Sequence, residues 1–172
     1  RPFPLKRLAG LIAMALPGLA LSQTAAQVEL NNSWFTSKIG ASTAYGLKFT
    51  GQGIKVAVLD TGVNSTNTDL AGRLLAGRNF TVATPNTNVA DGNGHGTHVS
   101  GLIAANRNNA GMFGTAYSAQ ILPVKVMADN GMGSTLWLDA GLRWAADQQA
   151  RIVNMSLGAS VAYDATALKY AV

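Results

Sequence analysis

The chain of 172 residues contains no cysteine. Disulfides and thiolate metal sites are therefore excluded, and stability must come from a hydrophobic core or from bound ions. Charge is scarce as well: Asp, Glu, Lys and Arg make up 12% of the residues, against 48% hydrophobic ones. That balance excludes a disordered chain and supplies enough apolar material for a core. The formal net charge of +5 does not mark a nucleic-acid binder. Arg1, Lys6 and Arg7 carry much of it, and residues 23–172 hold 10 basic against 8 acidic side chains. No basic cluster remains there, so no nucleic-acid partner is expected. A long hydrophobic run is also missing from the N-terminus. The apolar stretch 8–21 has 14 residues and is interrupted by Pro17, short of the roughly 20 that span a bilayer.

That stretch has another reading. Residues 1–7 are basic, 8–21 are apolar, and Ala20 and Ser22 place small residues around Leu21. This order is that of a secretory signal, so residues 1–22 are expected to be a signal peptide and the protein to be secreted or held at the cell surface. The first residue is Arg rather than Met, and the signal is expected to begin upstream of it.

Glycine, by contrast, is abundant, at 19 residues. Tight turns and close backbone approaches follow. Residues 23–52 read as an extended lead-in with a turn at 51–53. The run 54–59 (IKVAVL) suits a buried strand, and 74–82 a second, weaker one. Residues 84–94 form a polar loop, and 96–105 a tightly packed helix. Residues 121–127 give the next strand, with an irregularity demanded by Pro123. A helix over 135–149 has Ser134 as its N-cap and Asp139 near the favourable end of its dipole. Residues 152–157 form a further strand, and 164–172 a helix without a C-terminal cap, so the domain is expected to continue past Val172. Strands alternating with helices predict an α/β fold: a doubly wound, mostly parallel sheet with helices on both faces. The expected division is a signal at 1–22, a short lead-in at 23–32 and the functional domain over 33–172.

Three residues stand out chemically. Asp60 follows the strand in Val58-Leu59-Asp60-Thr61-Gly62-Val63, at the carboxyl end where open α/β sheets place their sites. Alone, it could equally cap a loop or bind a metal. His95 lies in Gly92-Asn93-Gly94-His95-Gly96-Thr97-His98-Val99-Ser100-Gly101. Flanking glycines leave room for a substrate, and a helix N-terminus disfavours an imidazolium, as suits a general base. Alone, it could be a polar loop histidine. His98 reads as a buried histidine hydrogen-bonded behind the site. The rival, a zinc pair, is disfavoured because the spacing is i, i+3 with no Glu between.

Val58-Leu59-Asp60-Thr61-Gly62-Val63, then Gly94-His95-Gly96-Thr97-His98-Val99-Ser100-Gly101, then Asn154-Met155-Ser156-Leu157-Gly158 together resemble the subtilisin-like serine peptidases, the subtilases. The resemblance covers about residues 33–172. It implies a secreted endopeptidase with an Asp-His-Ser triad, in which Asp60 is the carboxylate and His95 the base. It implies a cleft in which Gly131 and Gly133 on one side, and Ser156, Leu157 and Gly158 on the other, pair with an extended peptide or protein substrate. It also implies a structural calcium site at Asp69 and Asn108, in the loop 106–112, and no cofactor for the chemistry itself. Asn154 is not assigned to the oxyanion hole, because the family's oxyanion Asn lies further on. The nucleophilic Ser, in a Gly-Thr-Ser context, is absent from these residues and is expected beyond Val172, which leaves the fragment inactive. Residues 23–32 are too few for a folding prodomain, a feature resembling autotransporter-type subtilases, whose C-terminal membrane-anchoring translocator domain is not in this chain. The alternatives are a zinc hydrolase, and a pseudoprotease or passenger domain that binds extended peptides without cleavage.

Overall fold

β-Branched and apolar residues at 55–60 build the first strand, β1 (Lys55–Asp60), which is buried from Val56 onward. It runs through the middle of the sheet in a computed structural model that describes residues 22–158 and 166–171. The other strands are β2 (Arg78–Asn79), β3 (Gln120–Lys125) and β4 (Ile152–Asn154), in the order β2-β3-β1-β4, every pair parallel. Parallel strands need crossovers, and helices supply them. α4 (His95–Ala104) links β2 to β3 and α5 (Thr135–Asp147) links β3 to β4, while α6 (Thr166–Ala171) follows β4.

Alternation along β1 and β3 divides the core into two layers. Val56, Val58 and Ile121 point to one face and pack with Ala104 of α4. Ala57, Leu59, Leu122 and Val124 point to the other and pack with Leu142 and Ala145 of α5 and Ala167 of α6. Each fully buried Val or Leu contributes roughly 1.5–3 kcal/mol. The doubly wound reading of the sequence is thus the observed architecture. α5 starts as expected: the Ser134 hydroxyl accepts from the Trp137 amide at 3.2 Å.

Several expectations need correction. The lead-in is helical: α1 (Ala25–Asn32), α2 (Trp34–Lys38) and α3 (Ala41–Gly46) precede β1. Polar residues that looked extended are anchors. Thr24 caps α1 by accepting from the Gln27 amide. The buried Glu29 carboxylate accepts from the Asn108 and Asn109 amides at 2.7 and 3.0 Å. The Ser33 hydroxyl accepts from the Phe113 amide. The turn at 51–53 is present, with Gly51 and Gly53 at positive φ and the Ile54 amide bonded to Gly51 O.

Pro123 does not distort β3, where it pairs with Val58 of β1. The Ile121 amide bonds Arg73 O, and residues two apart point the same way, so the N–H that Pro123 lacks is missing from the β2 side. There Leu74 pairs with Ile121, but Arg78 pairs with Val124, so one extra residue bulges between the two. Gly77 closes this gap; a Cβ on it would lie 2.5 Å from Pro123 O. The expected strand 74–82 is therefore reduced to two residues. It ends where Asn79 Oδ1 accepts from the Thr81 amide and hydroxyl and the chain folds back onto Asn86. The last strand is also shorter than expected, ending at Asn154. The signal at 1–22 lies, except for Ser22, outside the described residues. Among those described, no helix is long and apolar enough to cross a membrane.

Candidate active site

The final residue of β1 is Asp60, fully buried. The first residue of α4 is His95, behind Gly94 as N-cap with φ 97°. His95 Nδ1 lies 2.7 Å from Asp60 Oδ1, which also accepts from the Thr61 amide at 2.7 Å. A carboxylate only accepts, so Nδ1 carries a proton, and in the neutral ring the lone pair is on Nε2. The His95 side chain is 45% exposed and opens to solvent, and no hydrogen bond joins Nε2 to another described residue. Asp60 Oδ2 is buried without a partner among the described residues.

This contact requires α4 to start against the end of β1. Gly96 makes that approach: a Cβ on it would lie 2.2 Å from Gly62 O and 3.1 Å from Asp60 Cβ. Polar side chains that the sequence reading passed over fix the junction. The Thr61 hydroxyl accepts from the Gly96 amide at 2.9 Å and donates to Asp91 Oδ1 at 2.8 Å. The buried Lys125 ammonium donates to Thr61 O and, at 2.6 Å, to Asp129 Oδ1. Asp129 in turn takes the Gly92 amide at 3.2 Å and, through its carbonyl, the Asn93 side chain at 2.9 Å. The Lys125 hydrogen bond holds the Asp129 carboxyl below the usual range. One signal was available for Lys125: a charge closing a buried apolar strand needs partners.

The two expected cleft segments flank this pair. Residues 131–133 lie in a hairpin after β3, where Met127 and Gly133 bridge and the Ala128 amide bonds Met132 O at 2.8 Å. Gly131 occupies the left-handed region, φ 81°. Ser156, Leu157 and Gly158 follow β4, with Ser156 and Gly158 exposed and Leu157 half-buried against the core. Because β3 and β4 border β1 on opposite sides, the segments lie either side of Asp60 at the carboxyl edge. Ser156 Oγ accepts from Asn154 Nδ2 at 3.0 Å.

His98 is not buried. α4 packs through Gly96, Ser100 and Ala104, and two residues on from Gly96 is about 200° around a helix. His98 therefore points outward and lines a cavity of ≈ 340 Å³ with Asp69, Asp91 and Met112. Among the described residues no hydrogen bond ties its ring to the site, and no group of three His, Cys, Asp or Glu able to hold a metal occurs there.

Asp69 and the loop 106–112 do meet. The Asn106 amide bonds Asp69 O at 2.7 Å, and a Cβ on Gly111 would lie 2.2 Å from Asp69 Oδ2. Asn108 Oδ1 accepts one bond, from the Ala110 amide, which leaves it a second lone pair. Arg107 lies over the Phe113 and Tyr117 rings, 5.0 and 5.8 Å from their centroids, so its charge is committed to the ring faces. Glu29, missed in the sequence, adds a second carboxylate at the loop. Two carboxylates and an amide oxygen thus border this loop, donors of the kind that a hard, oxygen-liking cation takes.

The sequence profile of the subtilase family matches residues 51–171. Subtilisin Savinase of Lederbergia lenta is 45% identical over 125 residues, covering 73% of this chain and 45% of that protein. An alkaline protease of Shouchella clausii is 45% identical over 125 residues, covering 73% of this chain and 32% of the relative. Thermitase of Thermoactinomyces vulgaris is 40% identical over 138 residues, covering 76% and 48%. The solved structure of sphericase superposes with a TM-score of 0.67 at 40% identity, over 71% of this chain and 43% of that one. The chain thus spans less than half the length of each of these relatives.

Proposed function

The chain belongs to the subtilase family, and on that premise we propose that it is the N-terminal part of the catalytic domain of a secreted serine endopeptidase. The observation that carries this reading is the 2.7 Å contact between His95 Nδ1 and the buried Asp60 carboxylate. His95 Nε2 takes the proton of a serine hydroxyl beyond Val172 as the serine oxygen attacks the scissile carbonyl. Asp60 holds the imidazole in the required tautomer and stabilises the imidazolium that forms. That proton passes to the leaving amine, the C–N bond breaks, and an acyl-enzyme remains for water to release. The substrate is a peptide or protein segment in extended conformation, laid between 131–133 and 156–158 by backbone pairing. The leader at 1–22 supports export. Asp69, Asn108 and Glu29 hold a structural calcium, which ties the loop 106–112 to α1 and takes no part in the reaction.

The test is cleavage of an unstructured protein by the full-length gene product, with His95→Ala as the control. Cleavage that His95→Ala removes is the expected result. A folded full-length product that binds extended peptides without cutting them would establish the pseudoprotease reading instead.

A further inference from the structure

We propose that Asp91 is a positioning residue of this site: acting through Thr61, it holds the start of α4 so that His95 stays on Asp60. The inference rests on the reading of Asp60 and His95 as two members of a triad. Asp60 and His95 are 35 residues apart, and one hydrogen bond does not fix the distance between the strand end and the helix start that carry them. Asp91 spans that distance. Its Oδ1 accepts from the Thr61 hydroxyl at 2.8 Å, from the Gly94 amide at 2.8 Å and from the Asn93 amide at 3.2 Å. Its Oδ2 accepts from the Thr97 amide at 2.8 Å and the Thr97 hydroxyl at 2.6 Å. One carboxylate therefore grips the residues before and after His95, and the residue that follows Asp60.

Thr61 makes the connection rigid, because each of its polar atoms is engaged. Its amide donates to Asp60 Oδ1, its carbonyl accepts from Lys125, and its hydroxyl donates to Asp91 while accepting from the Gly96 amide. A hydroxyl that donates to a carboxylate has its lone pairs turned to other donors, so Asp91 sets the direction from which Thr61 receives Gly96. These backbone amides belong to the first turn of α4 and its approach, where a helix leaves N–H groups unpaired. Asp91 thus pairs the helix start that the dipole would otherwise leave to solvent. Among the described residues no hydrogen bond joins it to the side chain of Asp60 or His95.

The experiment uses the full-length gene product and the variants Asp91→Asn, Thr61→Val and Thr61→Ser, with His95→Ala for reference. Turnover of a chromogenic peptide, the proton resonance of His95 Nδ1–H and the thermal transition are measured for each. Misplacing a reacting group by about an ångström costs on the order of 100-fold. We expect Asp91→Asn to lower kcat by about 10- to 100-fold with KM within about twofold, and to shift or broaden the His95 resonance. Thr61→Val should reproduce both effects, the double variant should be no worse than either alone, and Thr61→Ser should restore what Thr61→Val loses. A folded Asp91→Asn enzyme with unchanged kcat and resonance would overturn the proposal. So would a loss of turnover that only follows the fraction unfolded. If Asp91→Asn does not fold, the Thr61 pair decides by the same criteria. Activity insensitive to His95→Ala would instead overturn the functional reading, and the resonance would still test Asp91 in a product that cuts nothing.

Discussion

Lys125 is the ladder partner of Asp60 in the parallel pairing of β1 with β3. An ammonium and a carboxylate, both buried, therefore close adjacent strands at the carboxyl edge of the sheet. Neither is tolerable there alone, since a buried charge needs partners. Lys125 finds them in Thr61 O and Asp129, and Asp60 in the Thr61 amide and His95. Thr61 lies in both sets, so the charge that closes β3 and the site that closes β1 share one residue. The polar groups of the edge support one another, and each is read best through what its neighbour loses when it is removed.

In the full-length enzyme, His95→Ala should abolish turnover and Asp60→Ala should leave more of it. On the proposed triad reading, His95 moves the proton, whereas Asp60 orients and stabilises. Losses in kcat of roughly 10⁶-fold and 10⁴-fold are carried over from a subtilisin triad rather than derived from this geometry. Near-normal turnover in Asp60→Ala would remove Asp60 from the triad.

Gly96→Ala should damage both stability and turnover. Its methyl would meet Gly62 O at 2.2 Å, backbone against backbone, so α4 must back away from β1 and carry His95 with it. Gly101→Ala on the same helix meets nothing within 4 Å among the described residues and should stabilise by up to about 1 kcal/mol through helix propensity. Denaturant midpoints of the two variants should fall on opposite sides of wild type.

The motifs around Asp60 and His95 made these two residues legible because their chemistry is written locally: a carboxylate ending an apolar strand, an imidazole among glycines. The buried strands β1 and β3 were legible for the same reason, as short apolar runs. The lead-in helices were not, because what orders them is distant. Glu29 and Ser33 are satisfied by amides at 108, 109 and 113, and no local pattern announces such partners. His98 was misplaced because the motif records its identity but not the face of α4 on which it falls. Asp91 reads as one more polar residue in a loop until its five donors are assembled around it.

The acid side of the stability curve should carry a contribution from Asp91. Partial burial pushes its carboxyl up, but the Thr97 hydroxyl, the Gly94 and Thr97 amides and the Thr61 hydroxyl outweigh this and lower it from 3.8 to about 2. A carboxyl depressed by folding stabilises the native state above its unfolded pKa and loses that contribution as pH falls through the folded one. The window runs from about 3.8 down to about 2, and solvent screening of this half-buried group limits the effect to about 1 kcal/mol. Urea midpoints measured across that range should fall less steeply in Asp91→Asn than in wild type. Parallel curves would show that the Asp91 pKa is not depressed.

Calcium should raise the thermal midpoint of the full-length protein. A ligand that binds only the folded state stabilises it by about 2.7 kcal/mol at a hundredfold excess over its dissociation constant. Asp69→Ala should abolish most of the shift, and Glu29→Gln should reduce it, since it keeps an oxygen but removes a charge at the Asn108 amide. Melting with calcium and with chelator decides this. Equal calcium-induced shifts in wild type and Asp69→Ala would remove Asp69 from the site.

Residues 23–172 expressed alone should show no His95-dependent proteolysis. A base and its orienting acid need a hydroxyl to activate, and neither Ser100 nor Ser156, the serines of the matching motifs, provides one. Ser100 is 1% exposed and sits on the packed face of α4 with Gly96 and Ala104. Ser156 is engaged by Asn154 Nδ2 on the segment that follows β4. The same chain should also lack a sharp thermal transition. β4 pairs only with β1 among the described strands, and Ile152 within it is 53% exposed. An unpaired edge bearing apolar side chains favours association over a stable monomer. At roughly 25 cal/mol per Å², a few hundred Å² of apolar surface left in water removes most of a margin of about 5–15 kcal/mol. Two measurements on one purified sample check both parts: cleavage of an unstructured protein beside the His95→Ala control, and a melting curve on a monodisperse fraction. Cleavage that His95→Ala removes would mean that a nucleophile lies within these residues. A cooperative transition would mean that this half of the sheet is a self-sufficient domain.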